Sequence, residues 1–167
     1  NFQIDALSDL TVRTVAPPTT GQFIDSFPDA TNIFLPIDTT VSGDALILSG
    51  GVGSYAATGT VFSTSTDPVS ISAWDIASFA ASTSAQVDVS VSLYSVTGTS
   101  TYTIISDTDL PGNSTGFSSG NIDISGLNVG TYPEIAFGAT LTSSNVNITP
   151  EILEWQITYI VSETSIG

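Results

Sequence analysis

A chain of 167 residues has the length of a single domain and buries enough surface to stand without covalent staples. Its 16 acidic residues face one basic residue, Arg13, and the formal charge of −15 excludes nucleic acid and disfavours anionic membrane surfaces while favouring divalent cations and cationic partners. Cys, His and Lys are absent, which removes disulfides, thiolate metal sites and the nucleophile–base pairs of acyl transfer, and no apolar run approaches the about 18 residues of a membrane-spanning helix.

The chain opens on Asn1 and contains no Met, which reads as the processed product of an exported precursor. In its first element Phe2, Ile4, Ala6, Leu10 and Val12 alternate with Gln3, Asp5, Asp9, Thr11 and Arg13, the period of an amphipathic strand. Pro17 and Pro18 then remove two ladder donors, so pairing is expected to stop there. This divides the chain into a strand arm (1–16), a Pro-rich linker (17–22) and a body (23–167).

The body begins with a turn-rich loop from Phe27 to Asn32, then Ile33, Leu35 and Ile37 in alternation, where Pro36 predicts an edge strand. Thr39 to Asp44 reads as a turn and Ala45 to Leu48 as a short strand. The Gly-rich loop from Ser49 to Ser54 lacks the Gly-Lys-Ser/Thr end of a phosphate-binding loop. Tyr55 to Phe62 and Val69 to Phe79 read as further strands, the second with a change of phase that predicts a bulge near Trp74, although Asp75 to Ala81 also fits a helical turn. Gln86 to Tyr94 is the cleanest alternation, with Val87, Val89, Val91 and Leu93 on one face, and predicts a central strand. Thr101 to Ile105, Asn121 to Ile124 and Glu134 to Leu141 continue the series. After Pro150, the apolar Leu153, Trp155, Ile157, Tyr159 and Val161 predict a closing core strand.

Many short strands separated by Gly and Asn turns argue for an all-β, antiparallel two-sheet β-sandwich of jelly-roll type with an N-terminal strand arm. Asp107, Asp109 and Asn113 fall in one turn-rich loop where oxygen ligands could converge on calcium, yet the spacing departs from the EF-hand and Asx turns explain the same residues. Asn113-Ser-Thr and Asn147-Ile-Thr are glycosylation sequons. Two carboxylates suffice for a glycosidase, but Glu151 with Glu154 and Asp107 with Asp109 read as solvated residues flanking strands. Trp74 and Trp155 sit inside alternating strands and are expected in the core, which leaves Tyr94 and Tyr102 as the candidates for stacking on a sugar. Thr97, Thr99, Thr101 and Thr103 form a hydroxyl-lined solvent face.

Gly53-Ser-Tyr55, Ile71-Ser-Ala-Trp74, Leu110-Pro-Gly-Asn-Ser114, Ile122-Asp-Ile-Ser-Gly-Leu127, Thr131-Tyr-Pro133 and Thr149-Pro150 through Trp155 together resemble the jelly-roll, lectin-like or carbohydrate-binding-module-like domains of exported, pilin-like prokaryotic surface proteins. The resemblance spans roughly residues 45 to 160 and implies a β-sandwich at the cell surface. The N-terminus departs from type IV pilins, which open on a long apolar helix. The expected function is a non-enzymatic subunit of an extracellular filament, pilus or surface layer that polymerises with itself, Phe2, Ile4, Ala6, Leu10 and Val12 forming the subunit interface as a donor strand. The same arm also fits a strand of its own sheet. The alternative is a carbohydrate-binding or adhesin module that recognises surface glycans. No cofactor is expected beyond the calcium considered above.

Overall fold

The computed structural model describes residues 18–162, and among these the chain forms eleven strands and no helix. They are β1 (Thr19–Asp25), β2 (Ile33–Ile37), β3 (Thr39–Val41), β4 (Leu46–Leu48), β5 (Thr58–Ser63), β6 (Ile71–Ser82), β7 (Val87–Thr97), β8 (Thr101–Ile104), β9 (Gly120–Asp123), β10 (Ile135–Ser143) and β11 (Glu151–Val161). The Phe2 to Val12 arm lies outside the described residues.

Sheet A has the order β3-β4-β11-β6-β9, with β1 also paired to β11, and sheet B the order β2-β5-β10-β7-β8. All pairings are antiparallel and they nest: β7 with β8, β6 with β9, β5 with β10 and β4 with β11. A long hairpin folded over into two four-stranded layers gives that nesting, which defines the jelly roll. The three remaining strands extend it, β3 beside β4, β2 beside β5 and β1 beside β11.

The alternating strands bury the faces their patterns indicate. Val87, Val89, Val91 and Leu93 of β7 and Ile135, Phe137, Ala139 and Leu141 of β10 all point into the core. Sheet A answers with Trp74, Ala77 and Phe79 of β6 and Ile152, Trp155 and Ile157 of β11. The sheets meet in an aromatic stack: Trp155 lies parallel to Phe137 with centroids 5.3 Å apart, and Phe27 packs edge-on against Trp155 at 5.1 Å. Trp74 is equally buried, its indole N–H donating to the Tyr132 carbonyl at 2.8 Å, so both tryptophans are core residues as expected.

Irregularities explain where simple alternation fails. The register between β6 and β11 shifts between Ile157 and Tyr159, opposite Trp74 to Ala77, which is the phase change anticipated near Trp74, and residues 75–81 are strand. A second shift around Leu153 turns that side chain out to 43% exposure, so Ile152 takes the core position that the alternation assigned to Leu153. Val69 is 88% exposed because β6 starts only at Ile71.

Two strands were hidden in the sequence. Thr39 to Val41, expected as a turn, pairs with β4. Thr19 to Asp25, most of which fell in the expected linker, pairs with the whole second half of β11, Thr19 opposite Val161 through to Asp25 opposite Trp155. The first described strand begins directly after Pro18.

Candidate functional site

The outer face of sheet B is concave. Its edge strands β2 and β8 stand four strand spacings apart, about 19 Å in a flat sheet, yet Phe34 of β2 and Tyr102 of β8 stack with centroids 5.2 Å apart and planes 16° from parallel. The sheet is thus curled into a half-barrel whose hollow faces away from sheet A. Phe62 of β5 joins this contact, 4.6 Å from Tyr102 and 4.9 Å from Tyr94, edge-on to the latter. The Tyr102 hydroxyl crosses the hollow and donates to the Ser63 carbonyl at 3.1 Å. These rings, with the buried Ala136, form a small second core that plugs one end of the half-barrel.

Beyond the plug the hollow stays open as a groove of about 340 Å³. Cross-strand pairing builds its floor. Thr60, Thr140 and Ser90 stand in one row across β5, β10 and β7, and Phe62, Gly138 and Ser92 in the next. Residues paired directly across an antiparallel sheet share a face, so the first row presents three hydroxyls about 4.8 Å apart. Gly138 is required where it stands, because a Cβ there would collide with the Tyr94 and Phe62 rings. The exposed Ile104 of β8 borders one side, while Ile37 of β2, which pairs with Thr60, lies at the opposite edge.

The segment after β8 forms the remaining wall. It continues the edge of β7: Phe117 exchanges two backbone bonds with Val91, and the Asn113 side chain takes the place of a strand residue beside Leu93. Its Oδ1 accepts from the Leu93 N–H at 2.7 Å, while its Nδ2 donates to the Leu93 and Ile105 carbonyls at 2.8 Å each. Ser92 and Ser90 hydroxyls donate to the carbonyls of Asn113 and Thr115, and Gly116 passes so close above β7 that a Cβ would collide with the Ser90 hydroxyl and crowd that of Ser92. Asp107 clamps the loop from outside, accepting from the Ser114 N–H at 2.7 Å and its hydroxyl at 2.5 Å. Those bonds, the hydroxyl first, hold the Asp107 carboxyl below its ordinary value.

This geometry separates the residues singled out in the sequence. Asp107, Asp109 and Asn113 share a loop but serve three different partners: Asp107 holds Ser114, Asp109 accepts from the Tyr132 hydroxyl at 2.6 Å, and Asn113 is spent on β7. Among the described residues no three Asp, Glu, His or Cys side chains cluster as a metal site would require. The Asp109 bond raises the Tyr132 phenol above its ordinary value by holding its proton, with burial adding to it. The Asn113 side chain is 0% exposed, so the first sequon is closed in the folded protein, while Asn147 is exposed in the turn before β11.

Of the two stacking candidates, Tyr102 has its ring against Phe34 and Phe62 and its hydroxyl bonded, so it is a structural residue and not a free platform. Burial, then the Glu134 charge, raises its phenol above the usual value. Tyr94 lines the groove, its phenol raised by burial. Phe34, Phe62, Thr60, Thr140 and Gly138 escaped the sequence reading. The one signal was Gly138, a glycine inside a strand pattern, which marks a close approach of another group.

A second feature lies on sheet A. Among the described residues β1 has one strand neighbour, β11, and its other edge is unpaired. The remaining edges are blunted: β2 carries Pro36, a register break and Leu35 at φ 46°, β3 has 3 residues, and β8 and β9 have 4 each. Short strands, Pro and irregularities are the usual guards of an edge. β1, with 7 residues, carries neither Pro, Lys nor a register break, and its one such guard is the inward-pointing, buried Asp25 at its far end.

The fold and these two features define an antiparallel jelly-roll β-sandwich with a polar groove in one sheet and, among the described residues, an unpaired edge on the other. No family model, curated protein or solved structure matches the chain. No helix among the described residues is long and apolar enough to cross a membrane.

Proposed function

We propose that the protein is a non-enzymatic structural subunit of an extracellular prokaryotic filament, pilus or surface layer, assembling noncovalently by strand addition. The observation that carries this reading is the outer edge of β1, which is unpaired among the described residues and long for an edge strand of this fold. A strand added there gains main-chain hydrogen bonds along its whole length. The donor is the Phe2 to Val12 segment of a neighbouring subunit, whose alternation suits a half-buried strand. Two consecutive prolines favour an extended chain, so Pro17-Pro18 oppose the reversal that would fold the segment back onto its own β1. Thr19, the first residue of β1, pairs with Val161.

Deletion of residues 1–16 tests this. Negative-stain microscopy is expected to show polymers of the full chain and dispersed particles of the truncated one, and a synthetic peptide of residues 2–12 is expected to cap polymer growth. Unchanged assembly after the deletion overturns the proposal. The groove on sheet B favours a second reading, a glycan-binding or adhesin module, and the two roles use different faces of the molecule.

A further inference from the structure

We propose that the groove on sheet B binds a neutral, polyhydroxylated ligand, a hexopyranose residue of an uncharged glycan, with Tyr94 as the aromatic wall and Thr60 and Thr140 as the hydrogen-bonding floor. The inference deepens the second reading above and rests on it.

Charge is the first argument. The chain carries 16 carboxylates and one basic group, yet the residues lining the groove, Thr60, Phe62, Ser90, Ser92, Tyr94 and Thr140 foremost, include no ionisable acid or base apart from a tyrosine phenol. A cationic ligand would find no counter-ion there, and an anionic one would enter against the net charge of the whole molecule. An uncharged ligand meets neither obstacle.

Unused polar capacity is the second. Ser90, Ser92 and Ser114 spend their hydroxyls on Thr115, Asn113 and Asp107. The hydroxyls of Thr60, Thr140 and Tyr94 make no hydrogen bond with any described residue, although all three side chains are half-buried and line the groove. Each can donate and accept, so together they match a ligand whose own groups are hydroxyls. The volume of about 340 Å³ sits at the small end of ligand clefts, suited to a sugar ring rather than a folded partner.

The third argument is shape. Tyr94 is braced edge-on by Phe62 and leans over Gly138, where any side chain would displace it. A ring fixed this way presents an apolar surface at little entropic cost, and the C–H face of a pyranose offers the matching patch. The exposed Ile104 widens the apolar rim.

The test is calorimetric titration of the full chain with neutral hexose hexamers (maltohexaose, cellohexaose and mannohexaose) and with hexagalacturonate as the charged counterpart, paired with hydroxyl-radical footprinting of Tyr94. At least one neutral hexamer is expected to bind and to protect Tyr94 from oxidation. Tyr94→Ala is expected to weaken that binding about tenfold or more, and Thr140→Val, which keeps shape and strand preference, about threefold to tenfold. The proposal is overturned if no neutral hexamer binds, if the uronate binds as tightly, if both variants bind as the parent does, or if protection of Tyr94 comes from the peptide of residues 2–12 instead of a sugar. Assembly is read by microscopy and sugar binding by heat, so either reading can fail without the other.

Discussion

Asn113 offers the most quantitative test of how the groove wall is held. Replacing it by Ala removes three hydrogen bonds, but not with equal consequence. The Leu93 carbonyl keeps the Ile105 N–H at 3.0 Å, whereas the Leu93 N–H and the Ile105 carbonyl lose the partner described for them. A buried polar group left unpaired costs about 1–3 kcal/mol, so the two orphans together amount to about 2–6 kcal/mol. Set against the about 5–15 kcal/mol that holds a typical domain, the loss is a large fraction of the whole. The lower end applies where water enters the space left by the amide. Urea unfolding is expected to show the midpoint falling by about 1–3 M at unchanged slope. Asn113→Asp keeps the shape but sets an acceptor against two carbonyl oxygens, so at neutral pH it is expected to cost at least as much as Ala. That carboxyl has its folded pKa raised above the unfolded one, so the Asp variant regains stability as the pH falls, since the protonated acid can again donate one bond. A loss below about 1 kcal/mol for the Ala variant, at the bottom of the range for a single orphan, would refute the reasoning that Asn113 substitutes for a strand residue.

Three further outcomes follow from the same geometry. The Asp107 carboxyl is held below its ordinary 3.8 by Ser114, so the clamp contributes fully above that pH and is lost as the pH falls through the lowered value; amide exchange of residues 113–116 should rise there, and Ser114→Ala should move the Asp107 titration seen by NMR upward toward 3.8. In a host that glycosylates Asn-X-Ser/Thr, peptide mass analysis of the folded protein should find glycan at Asn147 and none at Asn113, and an occupied Asn113 in folded protein would contradict its burial. Gly138→Ala should displace the Tyr94 ring and abolish protection of Tyr94 by any groove ligand, at a stability cost of about 1–3 kcal/mol from overpacking, read from thermal unfolding and footprinting together.

What the sequence disclosed is governed by burial on one face at a time. β5, β7, β10 and much of β11 have one face in the core, so a period of two appears in their residues and survives as an accurate guide. β1 and β3 are edge strands whose few inward residues, Phe23 and Thr39 among them, are too sparse to produce a period. The expected linker also took in Thr19 to Gln22, whereas a proline directly ahead of a strand costs that strand nothing. Curvature was invisible for a different reason. Ser90, Ser92 and Tyr94 alternate with the core residues of β7 as a solvent face would, and it takes long-range contacts such as that between Phe34 and Tyr102, 68 positions apart by their numbers, to reveal that this face is the inside of a half-barrel. A polar groove and a polar surface have the same one-dimensional pattern.

The closing strand shows how such long-range facts redirect a functional argument. A long strand with an apolar face such as β11 is the natural partner for the alternating Phe2 to Val12 arm, from the same or a neighbouring chain. In the fold β11 has no vacancy: β6 runs along one side, while β4 takes Glu151 and Ile152 and β1 takes Trp155 to Val161 on the other. An added strand must therefore join at the far side of β1, where it would lie in line with β3 at the same margin of sheet A. That position accepts a partner without dislodging any strand of the sandwich. Exchange would then leave the subunit core intact, and the truncated chain is expected to unfold at the same urea concentration as the full-length monomer while failing to polymerise. A lowered midpoint would mean that the arm completes its own subunit, and would sink the assembly argument at its acceptor edge.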